Sequence, residues 1–200
     1  MPKKSSSSHE EANETTPKTY RVTIEGTTPI IFHRFTGDAM KAQQTRTKAE
    51  KKQGDLPADI EAYTYRDSNG YLAISGEALR GALLEAAKTK SSQINRRASA
   101  RQDYNSSLVI QTPYPSLGVK KWDYIDERGV CIQNRSARVI RKRPAMSAGW
   151  RATFEIVIIQ PPLISGENLL QNIKDAGNYV GLAEMRPQYG RFKVVVFREI

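Results

Sequence analysis

Four strand-like runs and two amphipathic helices, in the order strand, helix, strand, strand, helix, strand, predict an α+β fold. The runs lie at 19–25, 106–112, 150–159 and 190–198, and the helices at 76–90 and 166–176. This is the ferredoxin-like β-α-β-β-α-β order, which builds an antiparallel sheet with both helices on one face. Long polar segments interrupt it. The core is therefore expected to carry insertions at about 27–74 and 113–149 within a single domain, 19–200.

Each element has a local reason. In "TYRVTIEG", 19–26, Tyr20, Val22 and Ile24 alternate with Arg21, Thr23 and Glu25, the period of a half-buried strand. "TTPIIFHRF" reads as a turn and a short extended piece, and the polar stretch 38–59 as a short helix or mobile loop outside the core. "EAYTYRDSNGYLAIS", 61–75, reads as a hairpin, because Asn69 and Gly70 both tolerate positive φ. Ser75 caps the first helix, whose Ala78, Leu79, Ala82, Leu83, Ala86 and Ala87 form one apolar stripe. A basic connection, 91–105, leads to "SSLVIQT", which Pro113, Pro115 and Gly118 end. An inserted hairpin is expected around "WDYIDERGVCIQN", with Glu127, Arg128 and Gly129 near its turn. "WRATFEIVII", 150–159, is the clearest strand, and Pro161 and Pro162 close it. Ser165 caps the second helix, and Gly177 is placed as the residue just past its end. The two helices start alike, "ISGEAL" at 74–79 and "ISGENL" at 164–169, which marks either two equivalent halves or shared capping chemistry. Residues 1–18 are serine-rich, aperiodic and near neutral, and read as a disordered tail.

The totals point to a polyanion. Lys and Arg exceed Asp and Glu by 31 to 21, a net charge of +10, and the pI is about 9.7 with a mean hydropathy of −0.58. Such a balance favours RNA, DNA or an anionic surface. Cys131 is the single cysteine, so no disulfide forms within the chain, and a reducing, cytoplasmic setting is expected. No apolar run approaches a membrane span, and the first residues lack a signal-peptide core. A P-loop, a GxGxxG after a strand, and clustered D-x-D carboxylates are all missing. With two histidines and one cysteine, the usual zinc sites are excluded, and no cofactor is expected.

The binding inventory is richer. Arg135, Arg138, Arg141, Lys142 and Arg143 crowd into 134–144. Like charges at that density repel unless an anion neutralises them; the alternative is a solvated basic loop. Arg96, Arg97 and Arg101 form a second group, and Lys41, Arg46, Lys48, Lys51 and Lys52 a third that Glu50 dilutes. "FHRF" sets His33 and Arg34 between Phe32 and Phe35, as a nucleic-acid contact or as exposed residues between core rings. Gly177, Gly181 and Gly190 surround Arg186, Tyr189 and Arg191 just before the last strand. They offer charge, a stacking ring and a backbone able to approach a ligand, or else a structural connection.

Three features resemble the RAMP superfamily of CRISPR-associated proteins, especially the repeated subunit that coats guide RNA. "ISGEALRGALLEAAK", 74–88, is similar to a helix start with a Leu-Arg/Lys-Gly element, here Leu79-Arg80-Gly81. "AGNYVGLAEMRPQYGRFKV", 176–194, stands where those proteins carry a glycine-rich loop, though it holds fewer glycines. The order of elements and insertions also matches. The resemblance implies an RRM-like core, a thumb-like hairpin, and lateral assembly along one strand, with other effector-complex subunits as partners. The chain's length also fits a phage or mobile-element relative. Asp38 lies in the loop where RNA-cleaving members carry an aspartate, but its surroundings do not match, so cleavage is not carried over.

The expected function is thus a non-catalytic binder of single-stranded RNA or DNA, self-associating along the strand with weak sequence preference. One alternative is a RAMP-type endoribonuclease using His33 or Asp38. Another is a structural protein whose positive surface meets an acidic protein.

Overall fold

The computed structural model describes residues 16–34, 57–131 and 138–200. Its main sheet has four strands: β1 (Lys18–Gly26), β5 (Leu108–Ile110), β8 (Arg151–Ile158) and β9 (Phe192–Glu199). They lie in the order β5-β8-β1-β9, every neighbouring pair antiparallel. Helices α2 (Gly76–Ala86) and α4 (Gly166–Asp175) complete the β-α-β-β-α-β path. The fold is α+β and ferredoxin-like, as the element order predicts.

The alternation in β1 decides which face is covered. Tyr20, Val22 and Ile24 are buried with Ala152, Phe154, Ile156 and Ile158 of β8, against Leu79, Leu83, Leu169 and Ile173 of the two helices. Each such large side chain contributes roughly 1.5–3 kcal/mol by leaving water. Both helices begin on a serine. Ser75 Oγ accepts from Ala78 N at 3.3 Å, and Ser165 Oγ from Asn168 N at 3.2 Å.

The opposite face of the sheet is closed by its own charges. Arg21 donates to Glu155 at 2.7 Å, Thr23 and Thr153 hydroxyls lie 2.9 Å apart, and Glu25 is 2.7 Å from Lys193 and from Arg151 Nε. Among the described residues, the register puts no aromatic ring on this face. A base-stacking sheet surface is therefore absent there, and any ligand must use the loops and insertions.

The insertions form a second layer of structure. β2 (Ile30–Ile31) pairs with β7 (Arg138–Met146), which pairs with β6 (Tyr124–Cys131). A small hairpin joins β3 (Tyr65–Arg66) to β4 (Leu72–Ala73) across Asn69-Gly70, where Gly70 takes φ +77°. Helix α1 (Pro57–Ala62) precedes it, and Ile60 and Tyr63 join the buried residues. Of the polar segment 38–59, residues 38–56 lie outside the described residues and 57–59 open α1.

Four local expectations are corrected. Glu127, Arg128 and Gly129 sit in mid-strand β6, opposite Lys142, Arg141 and Ile140, and not near a turn. From Arg138 on, the basic stretch is strand β7, not a loop. The second core strand begins only at Leu108, because α3 (Arg101–Ser107) takes the residues before it. Asp103 makes this possible by accepting from Ser92 Oγ and Gln93 N, both at 3.0 Å. Gly177 does not end α4. The chain continues through a π-helical turn, Ala176–Val180, and Gly181, at φ +75°, ends it.

Candidate nucleic-acid interface

The loop 181–191 is held by backbone bonds on both sides. Leu182 N donates to Gly190 O at 2.9 Å, Glu184 N to Ile31 O at 3.1 Å, and Gly190 N to Pro29 O at 2.8 Å. Its glycines serve this self-packing. A Cβ at Gly190 would lie 1.9 Å from Leu182 O, and one at Gly177 would lie 2.1 Å from Phe192 O. The expectation that these glycines let the loop approach a ligand is therefore replaced: the close neighbour is the protein's own backbone. Glu184 stands between two non-glycine residues in the left-handed region, Ala183 at φ 62° and Met185 at φ 61°. Such conformations are costly and persist where surroundings enforce them.

Beside this loop lies a cleft of about 550 Å³, walled by Phe32, Tyr65, Ile74, Ala78 and Leu182, with His33, Ser75, Glu184 and Arg186 also lining it. Gly81 and Arg186 line it too, and both line a neighbouring shallower hollow with Glu85, Tyr179, Val180 and Pro187. Around Gly81 a Cβ would meet nothing within 4 Å. The two hollows thus form one groove across Gly81. Rings stand at both ends: Tyr65, stacked on Tyr114 with centroids 5.9 Å apart, and Tyr179, which is 73 % exposed. The Arg34 guanidinium lies 5.6 Å from the Tyr65 ring centre. Burial raises the Tyr65 hydroxyl's pKa, so the ring stays neutral at ordinary pH.

Charges in and near the groove are organised. His33 Nδ1 is 3.1 Å and Arg143 Nε 3.2 Å from Glu184 Oε2. At the far end, Lys88 holds the Glu85 carboxyl below its ordinary range, burial opposing, with Arg101 and Arg186 adding to the effect.

The residues singled out from sequence divide accordingly. His33, Arg34 and Arg186 come together at the groove, and Arg101 lies within electrostatic reach of its Glu85 end. Arg96 and Arg97 are exposed on the 91–100 loop, away from both hollows. Tyr189 lies under the Arg128 guanidinium, 4.7 Å from ring centre to carbon, and accepts from it at 3.1 Å. Arg191 donates to Pro187 O at 2.7 Å.

Two members of the basic cluster are consumed within the protein. Lys142 pairs with Glu127 at 3.1 Å, and Arg141 faces Arg128 across the hairpin. Arg143 is 3 % exposed, with its guanidinium 3.7 Å from the Tyr63 ring centre, and so is a packing residue, not a surface contact. Arg135, Phe35 and Asp38 lie outside the described residues, as does the side chain of Arg138. Tyr65, Tyr114, Tyr179 and Gly81 were missed as site residues. The one sequence signal was Gly81, a glycine inside an amphipathic helix with no packing demand.

Among the described residues no three His, Cys, Asp or Glu side chains gather as a metal site, and no helix is long and apolar enough to cross a membrane. No protein-family model matches the chain, and no curated protein does. Its fold is similar to that of a chain in the cryo-EM structure of the type III-B Cmr-beta bound to cognate target RNA. The TM-score is 0.57 at 12 % identity, over 96 % of this chain and 64 % of that one. This chain thus spans less than two thirds of its match. The likeness is one of fold.

Proposed function

We propose that this protein binds single-stranded nucleic acid, RNA by preference, along the groove that crosses Gly81. The observation carrying this reading is the groove itself: open backbone at Gly81, Arg186 in its middle, and tyrosines at both ends, in a chain of net charge +10. Single strands are held by that combination, a cation for phosphate and rings for bases. The fold relative's complex holds target RNA, which favours RNA over DNA. Copies assemble side by side along the strand, and the chain binds without cleaving.

Fluorescence anisotropy with labelled single-stranded RNA, single-stranded DNA and duplex DNA of equal length tests this. Tight, length-dependent binding to single strands, reduced by Arg186→Ala and Tyr179→Ala, is expected. Equal binding to duplex, or none at low salt, refutes the reading. An endoribonuclease is the second reading, favoured by the His33–Glu184 contact beside the cleft. End-labelled RNA cut by the wild type but not by His33→Ala would establish it.

A further inference from the structure

One feature of the groove is out of keeping with a phosphate path. Glu184 puts a carboxylate into the lining of the cleft. A carboxylate repels phosphate, so its partner in a bound strand must be a donor, and the donors a strand offers there are base N–H groups and hydroxyls. The carboxylate is also firmly held. His33 and Arg143 both approach Oε2, and the Glu184 amide is tied to Ile31 O. Among the described residues no hydrogen bond reaches Oε1. The left-handed conformations at Ala183 and Met185 fix the backbone on either side. Strain concentrated around one polar group beside a cleft is a mark of a ligand clamp.

The cleft's size and walls narrow the ligand. About 550 Å³ lies in the range of small-molecule pockets, enough for one nucleotide and too little for a stacked run. Its walls are aromatic and aliphatic, from Phe32, Tyr65, Ile74 and Leu182. These favour a flat, apolar ring over a sugar.

We propose that the cleft takes one unstacked guanine of the bound strand, with Glu184 accepting from its N1–H and 2-amino groups. The assignment rests on the nucleic-acid reading above. Guanine is the base whose Watson–Crick edge presents two adjacent donors to a carboxylate. Uracil presents one donor between two carbonyls, which the carboxylate repels. Arg186 stands beside the cleft for the neighbouring phosphate.

The experiment is anisotropy with labelled 12-mers of uridine carrying guanosine, inosine or uridine at one central position. The guanosine strand should bind roughly tenfold or more tighter than all-uridine. Inosine, lacking the 2-amino donor, should lose much of that gain. Glu184→Gln should abolish the guanosine preference, so that the guanosine and all-uridine strands bind it alike. Should Glu184→Gln fail to fold, because Arg143 loses its partner, the inosine comparison on the wild type still decides. Binding to all three strands with equal affinity overturns the guanine site and leaves the groove standing. Binding to none overturns both.

Discussion

Glycine means opposite things in the groove and in the loop beside it. Gly190 takes φ +72° with Leu182 O in the space of a Cβ, whereas Gly81 looks into open space. Gly190→Ala should cost about 1–3 kcal/mol from backbone conformation alone, read as a lower midpoint in urea. Gly81→Ala should instead stabilise by about 0.5–1 kcal/mol, since it removes a helix-interior glycine and meets nothing. Gly81→Trp should fold like the wild type by circular dichroism and lose RNA affinity, because the indole fills the groove; retained affinity would move the strand elsewhere. Arg143 gives the contrasting case. Removing it leaves Glu184 with His33 and takes the guanidinium from the Tyr63 ring, and Arg143→Ala should cost about 1–3 kcal/mol. Weakened binding in that variant would report folding, not a lost phosphate contact.

Elements were readable from sequence where burial is apolar and hidden where it is polar. β1 and β8 declare themselves by alternating apolar residues, and α2 and α4 by a serine cap and an apolar stripe. The β6–β7 hairpin does not. One of its faces carries Asp126, Arg128, Arg141 and Arg143, which meet Glu184 and Tyr189 instead of an apolar core. Without an apolar period there was nothing to place the turn. The groove was hidden for a related reason. Tyr65 and Tyr179 look in sequence like any strand or helix-end tyrosine, and their shared frontage with Gly81 arises only from tertiary packing. The strand pair β1–β9 carries a pH signature of its own. Burial, aided by the hydrogen bond to Glu199, pushes the Tyr20 hydroxyl up to about 12. A raised native pKa means stability that is full below the unfolded value near 10 and lost as pH rises through 12. Urea midpoints should fall between pH 10 and 12, and less steeply in Tyr20→Phe.

At the scale of the whole molecule, a charge of +10 says less about contacts than its distribution does. Much of the positive charge is answered inside the protein, by Glu25, Glu127, Glu155 and Glu184 among others. Among the described residues, what remains near the groove is Arg34, Arg101 and Arg186, each exposed. For single strands the slope of log affinity against log salt is roughly −0.7 per phosphate neutralised. Arg186→Ala and Arg34→Ala should each flatten that slope by about 0.7, because each removes one released counterion. Lys142→Ala should leave it unchanged, since Lys142 already has Glu127. A titration from 50 to 300 mM potassium chloride, with all three variants shown to melt like the wild type, separates the groove from general attraction. Equal flattening in all three would mean that the strand feels the molecule's overall field, and that the path across Gly81 is not its route.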